Sequence, residues 1–135
     1  MATAMDLMTT KVVTIRQTAS VREALKTLEE FDVRHLPVLD ERQELVGMLS
    51  ERDLLRLRRS QEVLKQPVSE VMSADVLAVT PATDVVEIID LMAENRIGAV
   101  PVLDSDSHLA GIISYVDVLR AAGKVLAENG AMVTS

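Results

Sequence analysis

Apolar residues fall at Val21, Ala24, Leu25 and Leu28, and again at Val85, Ile88, Ile89 and Met92. This i, i+3, i+4, i+7 spacing covers one face of a helix. Ser20 and Asp84, both good N-cap residues, stand directly before the two stretches, so each pattern predicts a helix start there. A short run rich in β-branched residues precedes each helix, Val12-Val13-Thr14-Ile15 and Val76-Leu77-Ala78-Val79, and predicts a strand. Two further apolar runs follow each helix. His35–Leu39 and Leu45–Ser50 flank Asp40-Glu41-Arg42-Gln43-Glu44; Ala99–Leu103 and Leu109–Ser114 flank Asp104-Ser105-Asp106-Ser107-His108. These read as hairpins with polar turns. A second helix closes each set, from about Glu51 and about Tyr115. The predicted order is strand, helix, strand, strand, helix, twice over.

The two sets are one pattern written twice. A shift of 64 residues lays 7–56 on 71–120 without a gap, and 15 of the 50 aligned positions are identical. Met8 falls on Met72, Val21 on Val85, Pro37-Val38-Leu39-Asp40 on Pro101-Val102-Leu103-Asp104, Gly47 on Gly111, Ser50 on Ser114 and Asp53 on Asp117. The expected class is α+β, two βαββα repeats related by a pseudo-twofold axis and forming one module, because a small sheet with helices on one face needs a second copy to bury its other surface. The expected boundaries are repeats at 1–60 and 70–123, a linker at 61–69 broken by Pro67, and a helix end and tail at 124–135.

Composition narrows the function. Nearly half of the 135 residues are hydrophobic, yet the only aromatics are Phe31 and Tyr115, so the core is aliphatic. Stacking platforms for single-stranded nucleic acid are missing, and a formal charge of −7 opposes binding to phosphate backbones. Without cysteine there are no disulfides, thiolate zinc sites or cysteine nucleophile. No apolar stretch reaches transmembrane length, and the N-terminus lacks a signal-peptide layout, so no membrane partner and a cytoplasmic location are expected.

Chemistry concentrates in Gly-x-x-Ser-x-x-Asp, present as Gly47, Ser50, Asp53 and as Gly111, Ser114, Asp117. The glycine permits close backbone approach. The serine stands at a helix entrance, where free N–H groups favour an anionic oxygen. A carboxylate one turn into the helix offers two acceptor oxygens, suited to both hydroxyls of a ribose. The same spacing suits a capping box, in which the acid reaches back to the helix start. Spacing leaves both open, and duplication does not separate them, because a structural cap would be duplicated too.

Val33-Arg34-His35-Leu36-Pro37-Val38 with Gly47 to Asp53, and Ile97-Gly98-Ala99-Val100-Pro101-Val102 with Gly111 to Asp117, resemble the CBS domain, and the pair resembles a tandem CBS (Bateman) module over about residues 5–123. The resemblance implies a regulatory module that binds adenosine-containing ligands (AMP, ADP, ATP, S-adenosylmethionine or NAD) in clefts between the repeats and has no resident cofactor. It implies one site with Ser50, Arg52 and Asp53 beside the first strand and Ile97, Gly98 and Ala99, and another with Ser114 and Asp117 beside Lys11, Val12, Val13, Val33, Arg34 and His35. Backbone groups of Val12-Val13 or Val76-Leu77 would read the adenine edge, and Val33, Ile97, Leu36 and Val100 would sandwich the ring. Arg52 could pair bidentately with a phosphate; Val116 takes its place in the second repeat, which makes the Asp53 site the better expected nucleotide site.

Other features are assigned more simply. Arg52, Arg56 and Arg59 share a helix face; for Arg56 and Arg59 a solvated face, paired with Glu62 or Glu51, is the expectation. Aliphatic runs in the closing helices, Leu54-Leu55-Leu57 and Val118-Leu119-Ala121-Ala122, exceed what one sheet face needs, and with the resemblance they predict a homodimer through those helices. No effector domain is recognisable, so the output is expected to pass to a separate partner protein. A structural dimerisation module without ligand is the alternative. No nucleophile–base pair, metal-ligand spacing or paired catalytic carboxylates stands out, so neither catalysis nor a metal site is expected.

Overall fold

The computed structural model of the chain describes residues 2–57 and 59–129. Its elements are helix α1 (Ala4–Leu7), strand β1 (Ile15–Arg16), α2 (Val21–Phe31), β2 (His35–Leu39), β3 (Leu45–Ser50), α3 (Glu51–Leu57), α4 (Gln61–Lys65), a 3-10 turn at Val68–Glu70, α5 (Val85–Asn95), β4 (Ala99–Leu103), β5 (Leu109–Ser114) and α6 (Tyr115–Glu128). The expected α+β alternation is present. Two units emerge. Among the described residues, those within 12–77 and 107–109 form a repeat-one unit, and 2–11, 78–106 and 110–129 form a repeat-two unit.

Local chemistry sets the helices. Ser20 Oγ accepts from Glu23 N at 3.1 Å and starts α2; an Asp84 carboxylate oxygen accepts from Val86 N at 2.8 Å and starts α5. Both helices stop on a left-handed residue, Asp32 (φ 51°) and Arg96 (φ 53°), although neither is glycine. Helix α2 buries Val21, Ala24 and Leu28, and α5 buries Ile88 and Met92. Ile89, placed on the buried stripe by its spacing, is 38% exposed instead. The hairpin turn after β2 is fastened by the Asp40 carboxylate, which accepts from Arg42 N (2.8 Å) and Glu44 N (2.9 Å). Gln43 there and Ser107 at the aligned position both take positive φ.

The first strands are shorter than their β-branched runs suggest. Only Ile15–Arg16 pairs, parallel to β2, while Val12 and Val13 lie outside any ladder. In a parallel ladder where Ile15 faces Val38, the next donor towards Val13 is the amide of residue 37. That residue is Pro37, which has no N–H, so the ladder ends. Pro101 acts alike in the repeat-two unit: Val79 N donates to its carbonyl (3.0 Å) and Leu103 N to Val79 O (2.8 Å), but pairing stops at that single bridge.

The stretch expected to be a linker is structured. It contains α4 and the 3-10 turn, and Val68 is fully buried in the repeat-one core, with its N–H donating to Ala19 O at 2.7 Å. The segment before the first repeat does the same for the repeat-two unit, where Ala4 is fully buried and its N–H donates to Thr83 O at 2.8 Å. Met72 packs on Gly47, and Met8 packs on Gly111. The glycines therefore admit a neighbouring stretch of this same chain.

The cores correspond position by position across the 64-residue shift. Ile15, Ala24, Leu28, Leu36, Val38 and Leu49 line the first, and Val79, Ile88, Met92, Val100, Val102 and Ile113 the second. Helix α6 continues to Glu128; of the stretch expected as helix end and tail at 124–135, residues 130–135 lie outside the described residues. Among the described residues no helix is long and apolar enough to cross a membrane.

Candidate functional site

In the repeat-one unit the β2–β3 register sets His35 opposite Ser50, and Glu51 N donates to Arg34 O at 2.8 Å as the chain enters α3. Pairing and one helical turn thus gather Arg34, His35, Ser50, Glu51 and Asp53 at one corner, so Arg34 and His35, expected beside Ser114 and Asp117, stand with the motif of their own repeat. Ser50 Oγ accepts from Asp53 N at 3.1 Å and caps the helix. The Asp53 side chain is exposed, and among the described residues no hydrogen bond reaches its carboxylate. Sequence reading placed Glu51 with the arginines of its own helix. Instead it pairs with Arg34, Nη1 to Oε1 at 3.2 Å. The available signal was opposite charge at a strand start and a helix start in one repeat, against Gly98 and Tyr115 in the other.

The repeat-two unit uses the same motif differently. Asp117 Oδ2 accepts from Ser114 N at 2.8 Å and from Ser114 Oγ at 3.1 Å, while Ser114 Oγ faces Asp117 N at 3.4 Å. This is a closed capping box, both partners half-buried. Tyr115 N donates to Gly98 O at 3.0 Å, the backbone counterpart of the Glu51–Arg34 bond, with no ion pair beside it.

The family model of the CBS domain matches residues 4–60 and again residues 68–124. The chain belongs to the CBS domain family. The CBS-pair protein CBSX2 of Arabidopsis thaliana, solved in complex with AMP, superposes with a TM-score of 0.82 at 31% identity, covering 93% of this chain and 98% of that one. The CBS domain pair of protein MJ0100, solved with 5′-methylthioadenosine and S-adenosyl-L-methionine, gives 0.84 at 27% identity, covering 92% and 98%. The inosine-5′-monophosphate dehydrogenase of Methanocaldococcus jannaschii is 31% identical over 109 residues, which are 81% of this chain but 21% of the enzyme. This chain therefore spans about a fifth of that enzyme's length.

The remaining candidate residues are placed as follows in the two CBS units. In the repeat-one unit Val12, Val13, Val33 and Val76 are half-buried, Arg52 is exposed on α3, and Leu77 is exposed. Val12, Val13 and Leu77 lie in backbone without ladder partners. In the repeat-two unit Lys11 is exposed, Ile97 and Gly98 are half-buried, and Ala99 is buried at the start of β4. Leu36 and Val100 are fully buried in the two cores, so neither can sandwich a ligand ring. Arg56 is exposed on α3; Arg59, expected on the same helix face, lies in a turn past the helix end at Leu57 and is exposed there.

His35 is the titratable group most altered by this corner. Burial lowers its pKa below the ordinary 6.5, the Asp53 and Glu51 carboxylates oppose that, and Arg34 adds to it. The unfolded chain then takes up a proton at a higher pH than the folded chain does. The contribution of His35 to stability is full above pH 6.5 and is lost as the pH falls through its folded pKa. Thermal melts from about pH 7 down to about pH 5 are expected to lose stability more steeply for the wild type than for His35→Gln. Parallel curves would remove His35 from that dependence.

Proposed function

We propose that this chain is a regulatory, non-catalytic module that binds an adenosine-containing ligand (AMP, ADP, ATP or S-adenosylmethionine) at the Asp53 corner and signals to a partner protein by a change of conformation. The observation that carries this reading is the uncommitted Asp53 carboxylate. It stands exposed in the first turn of α3, beside Ser50, Arg52, Arg34 and His35, while its counterpart in repeat two is occupied by its own helix cap. A carboxylate so placed can accept from two vicinal hydroxyls, and the neighbouring cations suit a phosphate. Val12, Val13 and Leu77 support the reading with backbone groups left outside the ladders, available to a base edge; Val76 has only its carbonyl to offer, because its N–H donates to Ala74 O at 3.0 Å. The adenosine-containing ligands of CBSX2 and of the MJ0100 pair favour the same class.

Val33, Ile97, Gly98, Ala99 and Lys11 are proposed as further contacts. Ser114 and Asp117 are proposed as a weaker second site, because a ligand there must compete with the capping box. That closed box also favours the second reading, a structural role, for repeat two alone. Leu55 (40% exposed) and Leu119 (63%) support a homodimer through the closing helices, in a protein of the cytoplasm. Calorimetric titration of AMP, ADP, ATP and S-adenosylmethionine into protein stripped of carried-over ligand tests the proposal. Binding heat and a rise in melting temperature with at least one are expected; neither signal with any of the four overturns it.

A further inference from the structure

The Arg34–Glu51 pair has the properties of a latch and not of a strut. It joins the start of one strand to the start of one helix, where Glu51 N already bonds to Arg34 O at 2.8 Å, so the corner is held by backbone without it. The repeat-two unit is an internal control: Tyr115 N and Gly98 O make the same backbone bond at 3.0 Å with no side-chain pair. The Arg34 side chain is 68% exposed and that of Glu51 34%, which makes the pair weak and solvent-screened. Neither partner is stranded when it opens. Glu51 remains at a helix N-terminus, which favours a carboxylate, and Arg34 returns to water.

We propose that Glu51 determines phosphate specificity at the Asp53 corner by holding Arg34 until a phosphate-bearing ligand displaces it. The proposal rests on the reading of this corner as an adenosine-ligand site and adds what that reading leaves out, a built-in competitor for the ligand's charged end. A phosphate offers the guanidinium a bidentate, more highly charged partner than one Glu51 oxygen. Glu51 then opposes phosphate binding by occupying Arg34. A ligand without phosphate has no use for Arg34 and leaves the latch shut.

The test uses the full chain as wild type, Glu51→Gln, Arg34→Met and the double variant, titrated with AMP, adenosine and inorganic pyrophosphate. Glu51→Gln is expected to tighten AMP about two- to fivefold and to leave adenosine unchanged. Arg34→Met is expected to weaken AMP, and in the double variant the gain from Glu51→Gln should vanish. No gain for AMP, an equal gain for adenosine, or a gain that survives in the double variant overturns the latch. So does a lower melting temperature of Glu51→Gln with an unchanged ratio of AMP to adenosine affinity. If the wild type binds neither adenosine nor AMP, the adenosine reading falls and pyrophosphate decides the latch, followed through the His35 ring resonances. Tighter pyrophosphate binding in Glu51→Gln but not in the double variant upholds it, and equal binding in all four overturns it.

Discussion

Asp53→Ala is expected to weaken AMP and adenosine alike, by about ten- to a hundredfold, while the melting temperature stays nearly that of the wild type. The magnitude follows from losing hydrogen bonds to a charged acceptor, worth about 1.5–3 kcal/mol. Both ligands carry the ribose, so both lose affinity, which separates this effect from loss of a phosphate contact. Stability is spared because no hydrogen bond of the fold ends on this carboxylate among the described residues, and the exposed side chain leaves no cavity. Asp117→Ala is the paired control and should lower stability while leaving binding at the Asp53 corner unchanged. It opens a capping box whose Ser114 N to Asp117 Oδ2 bond is 2.8 Å, at a cost of about 0.5–2 kcal/mol in stability. Titration calorimetry and thermal melts of the two variants decide the matter. A stable Asp53→Ala that binds as tightly as wild type would assign the ribose to another residue, and one that melts far lower would make Asp53 a cap.

Ser-x-x-Asp occurs twice with the same spacing, so its two fates were not legible from the motif. The deciding residues lie elsewhere in each repeat. Asp53 shares its corner with Arg34 and His35, whose aligned positions hold Gly98 and Ala99. Beside those uncharged residues the helix terminus is the electropositive group within Asp117's reach, and the carboxylate closes on it. At the Asp53 corner the His35 ring interacts with the Asp53 carboxylate. The aligned differences thus carried the asymmetry, but only the hairpin register, which opposes His35 to Ser50, shows that Arg34, His35 and Asp53 share a corner.

The fold was legible where periodicity and burial coincide. The helix spacing marked Ala24, Leu28, Ile88 and Met92 as core, and the Pro-Val-Leu runs marked the central strands. Reading failed where one side chain overrides a run. Val12 and Val13 have strong strand propensity, but Pro37 removes the donor that would extend the ladder to them. Pro67, read as a breaker, suggested a linker at 61–69 and concealed the aliphatic residues that anchor the stretch in a core, Val68 fully buried and Val63 and Leu64 packed beside it. The identity of Met8 with Met72 and of Gly47 with Gly111 was visible, but the partnership of each methionine with a glycine was not. A repeated pair fits equally a contact within its own repeat and an exchanged one.

Gly111→Ala is expected to cost about 2–6 kcal/mol and to loosen the N-terminal segment from the repeat-two unit. A Cβ at this position would lie 2.7 Å from Met8 Sδ, 2.9 Å from Met8 Cγ and 2.9 Å from Thr9 O. The methionine can swing aside, since its side chain is unbranched and adaptable. The Thr9 carbonyl cannot, because it accepts from Ile112 N at 3.0 Å while Thr9 N donates to Ile112 O at 2.9 Å. Relieving the clash means breaking that reciprocal pair, at about 0.5–1.5 kcal/mol per bond, on top of an overpacking cost of about 1–3 kcal/mol. Gly47→Ala should be milder. Its backbone neighbour, Ser73 O, is 3.1 Å from the added carbon, and its tighter contacts are to the Met72 side chain. Met72→Ala should therefore restore most of what Gly47→Ala loses, whereas Met8→Ala should rescue Gly111→Ala only in part. Urea denaturation measures the four variants, and amide exchange at Thr9 and Ile112 locates the damage. A Gly111→Ala chain with wild-type stability and unchanged protection at those two amides would mean that the segment before the first repeat yields to the added methyl without losing its pairing.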